Sequence, residues 1–246
     1  MVVPRRILAA AGILACTATC SAAAAAHPFP RFGSGCARAD FVSHGTNVRA
    51  ERCGPPSGPR AVIVLHGCGG FSTFDHRLAA GLPSFGIATL YVDYFAPTPP
   101  PGTRGYCGFF TRGSDVFAAW ERVAADGAAD LRRHYRRVGA VGWSLGAGVA
   151  IATAESLHPF DAVAAFSALA FPPTVAAANQ LPPTIFLDGG AHDSVAPENA
   201  QVLYEAARAA GVPTALYVYA NGSHDWPGAQ GDAGRAQAAA FLLRHL

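Results

Sequence analysis

Short apolar runs rich in β-branched residues recur along this chain, each separated from the next by a longer stretch whose apolar residues follow helical spacing. Few architectures accept that alternation. A strand that is apolar at every position must be buried on both faces, and strands joined through helices run parallel. The pattern therefore specifies an α/β fold, a mostly parallel central sheet with helices on both faces. The expected strands are 61–65, 87–92, 138–141, 162–166, 184–187 and 215–219, and the expected helices 74–82, 114–135, 145–157, 198–210 and 231 to the C-terminus. Two earlier runs, 40–43 and 48–52, flank a Gly45-Thr46-Asn47 turn and read as an antiparallel hairpin feeding the sheet edge. The segment 172–183 is a short connection that cannot hold a sizeable cap domain, so an open cleft is expected. The loop 95–108 is long and rich in proline and glycine, which in a compact domain points to function.

Composition narrows the partners. With 51% hydrophobic and 14% charged residues and a formal charge of +2, the chain is neither a disordered polyampholyte nor a coiled coil. No lysine occurs, so the permanently charged basic residues are all arginines. Most are scattered, and the cluster Arg132, Arg133, Arg136 and Arg137 reads as the solvated C-terminal end of the helix expected over 114–135. No phosphate-binding stripe is visible, so no nucleic-acid partner is expected.

The first segment has the layout of a secretory signal peptide over residues 1–26: Arg5 and Arg6, an apolar run from Ile7 to Ala15, then small residues with Ala24 and Ala26 forming an A-x-A-like cleavage site. Lipoprotein processing at Cys16 is the competing reading, poorly served by the bulky Leu14. One domain, 27–246, would remain, exported to periplasm or medium, with no apolar stretch long enough to span a bilayer. Four cysteines persist in it, Cys36, Cys53, Cys68 and Cys107, and an even number in an oxidising compartment suggests two disulfides. The hairpin would bring Cys36 to Cys53, leaving Cys68 for Cys107, although spacing alone allows three pairings. The cysteines lack the partner spacing of a zinc site, and neither metal nor cofactor is expected.

Gly142-Trp143-Ser144-Leu145-Gly146 falls between an expected strand and an expected helix, the context a G-x-S-x-G nucleophile elbow requires. The turn is so tight that the flanking positions must lack side chains, while Ser144 is held on a strained backbone above the sheet. A serine hydroxyl needs a base, and the base needs a carboxylate to orient it. In the order serine, acid, histidine, the candidates are Asp193 and His224, each just beyond a strand end. Asp188 is the rival acid, and His192, His158 and His245 the rival bases. Oxyanion donors are expected from the Leu145 amide and from the turn His66-Gly67-Cys68-Gly69-Gly70 through Cys68 N–H. Cys68 as a nucleophile in its own right is the lesser alternative. Phe71 and Trp226, adjoining the oxyanion turn and His224, are candidate substrate contacts.

Through His66-Gly67-Cys68-Gly69-Gly70, Val92-Asp93-Tyr94-Phe95, Gly142-Trp143-Ser144-Leu145-Gly146, Asp193 before Val195-Ala196-Pro197, and Gly222-Ser223-His224, the chain resembles the dienelactone hydrolase family of α/β-hydrolases from about Ala61 onward. The resemblance implies a Ser144, Asp193, His224 triad with Cys68 and Leu145 as oxyanion donors. Well-known members carry a cysteine nucleophile and a glutamate in the oxyanion loop, where this chain has Ser144 and Gly67. The expectation is therefore an exported serine hydrolase of small ester or lactone substrates, forming an acyl-enzyme. Segments around Ser144, Asp193 and His224 also look like those of secreted cutinase-like polyesterases. A silent hydrolase fold serving as a binding protein is the alternative outside enzymology.

Overall fold

The computed structural model describes residues 35–97 and 114–246. The chain enters through four short strands, β1 (Cys36–Arg38), β2 (Phe41–Ser43), β3 (Thr46–Val48) and β4 (Ala50–Cys53). It then alternates: β5 (Gly58–Leu65), α1 (Thr73–Gly81), β6 (Ala88–Val92), α2 (Asp115–Arg132), β7 (Tyr135–Trp143), α3 (Leu145–Leu157), β8 (Val163–Phe166), α4 (Pro172–Ala176), β9 (Thr184–Asp188), α5 (Glu198–Ala209), β10 (Thr214–Val218) and α6 (Gly228–His245). Eight strands form one sheet in the order β1-β4-β6-β5-β7-β8-β9-β10. The pairs β1–β4 and β4–β6 are antiparallel and the rest parallel.

Strand β5 shows why the apolar runs are continuous. Ala61, Ile63 and Leu65 point into the layer holding Trp120, Val123 and Ile151, whereas Val62 and Val64 point into the opposite layer with Phe74, Phe166 and Leu242. Each Val, Ile, Leu or Phe among them, fully withdrawn from water, contributes roughly 1.5–3 kcal/mol. The order also creates the crevice. From β5 the chain crosses to β6 on one side and then returns past it to β7 on the other, so the C-terminal ends of β5 and β7 open at a topological switch point. The turn His66 to Gly70, expected to supply an oxyanion donor, follows β5 there, and Ser144 follows β7.

Two expectations are redrawn. The hairpin is split: β2 and β3 form a separate two-stranded sheet, while β1 and β4 make the sheet edge, with Cys36 opposite Cys53. That register places the two cysteines in a disulfide. The arginine cluster does not all close a helix. Helix α2, capped by Ser114 accepting from Phe117 N (3.2 Å), stops at Arg132, and Arg136 and Arg137 open β7 instead. Their exposed side chains tolerate a strand start at the sheet rim, and Asp161 pairs with both Arg132 (3.2 Å) and Arg137 (3.3 Å). The segment 172–183 carries only the five-residue α4 and one turn of 3₁₀ helix, as expected, so among the described residues no large cap stands over the crevice. Residues 1–26, Cys107 and most of the loop 95–108 lie outside the described residues. Within them, no helix is long and apolar enough to cross a membrane.

Candidate active site

Ser144 caps α3 with φ 54° and ψ −120°, a backbone that L-residues adopt only under constraint. The constraint is visible. Its N–H donates to Phe166 O (2.8 Å), tying the elbow to the end of β8. A Cβ on Gly142 would stand 2.6 Å from Ala147 Cα, and one on Gly146 2.6 Å from the Leu65 carbonyl carbon, so both glycines serve close backbone approach. The Leu145 amide opens α3, where an N–H has no acceptor within the helix and the helix dipole favours negative charge.

Three loops converge beside this elbow, those following β8, β9 and β10. Asp193 from the second and His224 from the third are joined by a hydrogen bond, Nδ1 to Oδ1 at 2.6 Å. The carboxylate accepts only, so Nδ1 carries the proton and Nε2 is left as the acceptor. Asp193 is gripped from four directions: His224 Nδ1 and Val195 N (2.9 Å) on Oδ1, Ser167 Oγ (2.5 Å) and Gly189 N (3.0 Å) on Oδ2. Burial alone would raise this carboxyl, but the hydrogen bonds from His224, Ser167 and the Val195 amide outweigh it and hold Asp193 below the ordinary carboxylate range. Trp143 Nε1 donates to His224 O (2.9 Å), so the residue before Ser144 fixes the histidine loop. The Trp143 and His224 rings lie 5.1 Å apart.

The rival residues have other surroundings. Asp188 ends β9 fully buried, its Oδ1 accepting from Gly190 N (2.8 Å), and burial raises its carboxyl to about 6. His192 is exposed, its backbone bridging to Ser223; His158 is exposed beyond α3; His245 packs its ring on Phe241 at the end of α6.

The turn after β5 is closed by Gly70 N donating to Gly67 O (3.0 Å). Beneath it the His66 ring is fully buried, stacked on Tyr94 at 4.2 Å, with Nδ1 donating to Gly67 O (2.8 Å) and Tyr94 OH donating to His66 O (2.8 Å). A Cβ on Gly67 would stand 2.8 Å from Trp143 Cε3, so Trp143 fills the space a longer residue would need. Cys68 is disulfide-bonded and not a free thiol. Cys107, its expected partner, lies outside the described residues. Phe71 is half-buried, packed edge-on against His66 (5.1 Å) and Tyr91 (4.7 Å).

Trp226 corrects the reading made from its nearness to His224. It is 0% exposed and lines no cleft: its ring is enclosed by Phe74, Phe166 and Tyr219, and its Nε1 donates to Ser167 Oγ (2.9 Å). A positive φ of 48° turns it inward. Ser167, which bonds Asp193, and Trp143, which bonds the His224 backbone, are contacts that sequence reasoning passed over; Trp143 lies inside the recognised motif, but nothing local marks Ser167. Among the described residues, no group of three His, Cys, Asp or Glu side chains converges as a metal site would require.

The parallel sheet, the strained serine elbow at its switch point and the acid and histidine loops behind it define an α/β-hydrolase. The sequence profile of the dienelactone hydrolase family matches residues 51–241, and the chain belongs to that family. No curated protein matches the sequence. Among solved structures, the chain is similar to a Klebsiella pneumoniae protein assigned as a dienelactone hydrolase (TM-score 0.70, 19% identity, covering 85% of this chain and 98% of that one). It is similar also to a Pyrococcus furiosus esterase (TM-score 0.67, 17% identity, 85% and 92% covered). A third is a dienelactone hydrolase-like promiscuous phosphotriesterase from metagenomic libraries (TM-score 0.65, 16% identity, 85% and 98% covered). At these identities the likeness is one of fold.

Proposed function

We propose that this chain is an exported serine hydrolase that cleaves carboxylic ester or lactone bonds of small molecules through an acyl-enzyme on Ser144. The observation that carries the reading is the hydrogen-bonded Asp193–His224 pair held behind a serine whose backbone is forced to φ 54° at the head of a helix. His224 Nε2 takes the proton from Ser144 Oγ as the hydroxyl attacks the acyl carbon. Asp193 stabilises the imidazolium and keeps its ring oriented. Charge developing on the acyl oxygen is met by the amides of Leu145 and Cys68, donors whose individual loss typically costs about 10²–10³ in rate. The imidazolium then protonates the departing alcohol, and water, deprotonated by the same histidine, releases the acid. Export is supported by the Cys36–Cys53 disulfide, which belongs to an oxidising compartment, and by the leader-like segment 1–26.

The small connection after β8 favours a second reading within the same chemistry, a cutinase-like polyesterase, since a crevice that this connection leaves open admits a polymer chain. Hydrolysis of a short-chain p-nitrophenyl ester by the mature, oxidised protein, run beside Ser144→Ala, tests the proposal. The parent should turn over and the variant fall to background. Equal activity in both would mean the nucleophile is another residue, and two inactive proteins would favour the silent binding fold. Rates on insoluble polyester matching those on soluble esters would select the polyesterase.

A further inference from the structure

We infer that Ser167 and Trp226 are positioning residues of the same site, forming a buried hydrogen-bond chain that holds the Asp193 carboxylate in place while His224 becomes charged. The inference rests on the reading of Ser144, Asp193 and His224 as a triad.

The direction of the chain follows from donor inventory. An indole N–H only donates, so Trp226 Nε1 gives its proton to Ser167 Oγ (2.9 Å). The single hydroxyl proton of Ser167 is then free to point to Asp193 Oδ2 (2.5 Å). Both side chains are 0% exposed, so no water competes for these bonds and each polarises the next. With Ser167, Gly189, Val195 and His224 as donors, the roughly four lone-pair sites of the carboxylate are filled, and rotation away from His224 would break at least one bond.

The backbone supports the same conclusion. Ser167 has φ 49° and Trp226 φ 48°, the region where glycine is at ease and other residues are strained by about 1–2 kcal/mol. Strain of this kind persists where surrounding bonds over-determine the position. Ser167 N donates to Leu187 O (2.7 Å) at the end of β9, so its hydroxyl starts from the sheet. Trp226 is wedged by Phe74, Phe166 and Tyr219, and a Cβ on Gly234 of α6 would meet its ring at 2.7 Å. The chain thus anchors a loop-borne acid to both the sheet and the aromatic core. Trp226 follows His224 by two residues, so the same wedge also pins the base.

The test measures kcat and KM on the p-nitrophenyl ester for Ser167→Ala, Ser167→Gly, Trp226→Phe and the Ser167→Gly/Trp226→Phe pair. Glycine accepts positive φ freely, so a loss shared by the alanine and glycine variants comes from the hydroxyl and not the backbone. Phenylalanine keeps a ring in the cage but removes the N–H and the bulk of the second ring; a loss from the missing bulk persists without Ser167, whereas a loss of the hydrogen bond does not. Loss of a charge-assisted hydrogen bond expressed in the transition state should lower kcat about tenfold in both Ser167 variants, with KM within about twofold. Trp226→Phe should lower kcat about threefold alone and add nothing on the Ser167→Gly background. Parent-like kcat in the Ser167 variants, or a Trp226→Phe loss that is the same with and without Ser167, overturns the inference. Ser144→Ala assayed alongside separates the cases: its retained activity would defeat the triad reading itself, whereas its inactivity beside fully active Ser167 variants defeats only the chain.

Discussion

Replacing Gly146 with alanine adds one methyl group at the point where α3 meets the end of β5. The new Cβ would lie 2.6 Å from the Leu65 carbonyl carbon, against an ordinary carbon–carbon contact of at least about 3.5 Å, so something must move by about 1 Å. Leu65 cannot move cheaply, because β5 is paired on both sides, to β6 and β7. The helix has no yielding side either: every residue from Leu145 to Glu155 is buried. The displacement therefore falls on the elbow, two residues from Ser144. Overpacking of this kind costs about 1–3 kcal/mol, which for a chain of 246 residues lowers Tm by roughly 3–10 °C and leaves it folded at 25 °C. A reacting atom misplaced by about 1 Å can cost about 10²-fold in rate. We expect Gly146→Ala to be folded at 25 °C by circular dichroism, with kcat/KM on a p-nitrophenyl ester down about 100-fold. A variant within twofold of the parent, with an unchanged Tm, would show that the elbow is not sterically locked and that the glycine argument is wrong.

Two further predictions concern the scaffold. Cys36→Ala/Cys53→Ala opens a disulfide spanning 17 residues of sequence, which in the chain-entropy account removes about 3 kcal/mol; urea unfolding should report that loss with turnover of the p-nitrophenyl ester at 25 °C retained, because the bond joins the two outermost strands of that sheet edge, β1 and β4, with β6 between them and β5. Substitution is preferable to a reductant, since Cys68 is also disulfide-bonded and a reductant would open both. Asp75, fully buried in α1, has its carboxyl raised to about 8 by burial, against which hydrogen bonds from Ser72 act only partly. The native state then keeps a proton that the unfolded chain releases from about pH 4 upward, so stability falls as pH rises toward 8. Asp75→Asn removes that slope, and its Tm advantage over the parent should widen between pH 5 and pH 8; parallel Tm curves would refute the burial argument.

What was legible in the sequence was what depends on near neighbours. Strand runs apolar at every position predict burial on both faces; β5 through β10 fall on those runs within a few residues, and β6, β8 and β9 are buried throughout, whereas β10, at the sheet edge, is not. The Gly142-to-Gly146 motif predicts its own strained turn, because the steric demand lies inside five residues. The pairing of Asp193 with His224 was reachable too, through chain order and strand ends. The failures share one cause. Trp226 was placed at the cleft because it adjoins His224, yet its positive φ and the pull of Phe74, Phe166 and Tyr219, distant in sequence, turn it into the core. The arginine cluster was assigned to one helix because charge says nothing about where α2 gives way to β7.

Ser167 makes the limit plainest. No motif surrounds it, and its two side-chain partners are 26 and 59 residues away, on loops that only the order β8-β9-β10 brings side by side. A site residue can be read from sequence when its chemistry demands particular immediate neighbours, as a nucleophilic elbow does. A residue that steadies the acid from a neighbouring strand demands only that three strand ends be adjacent. That adjacency is a property of the sheet, so the support around Asp193 becomes visible only once the topology is known.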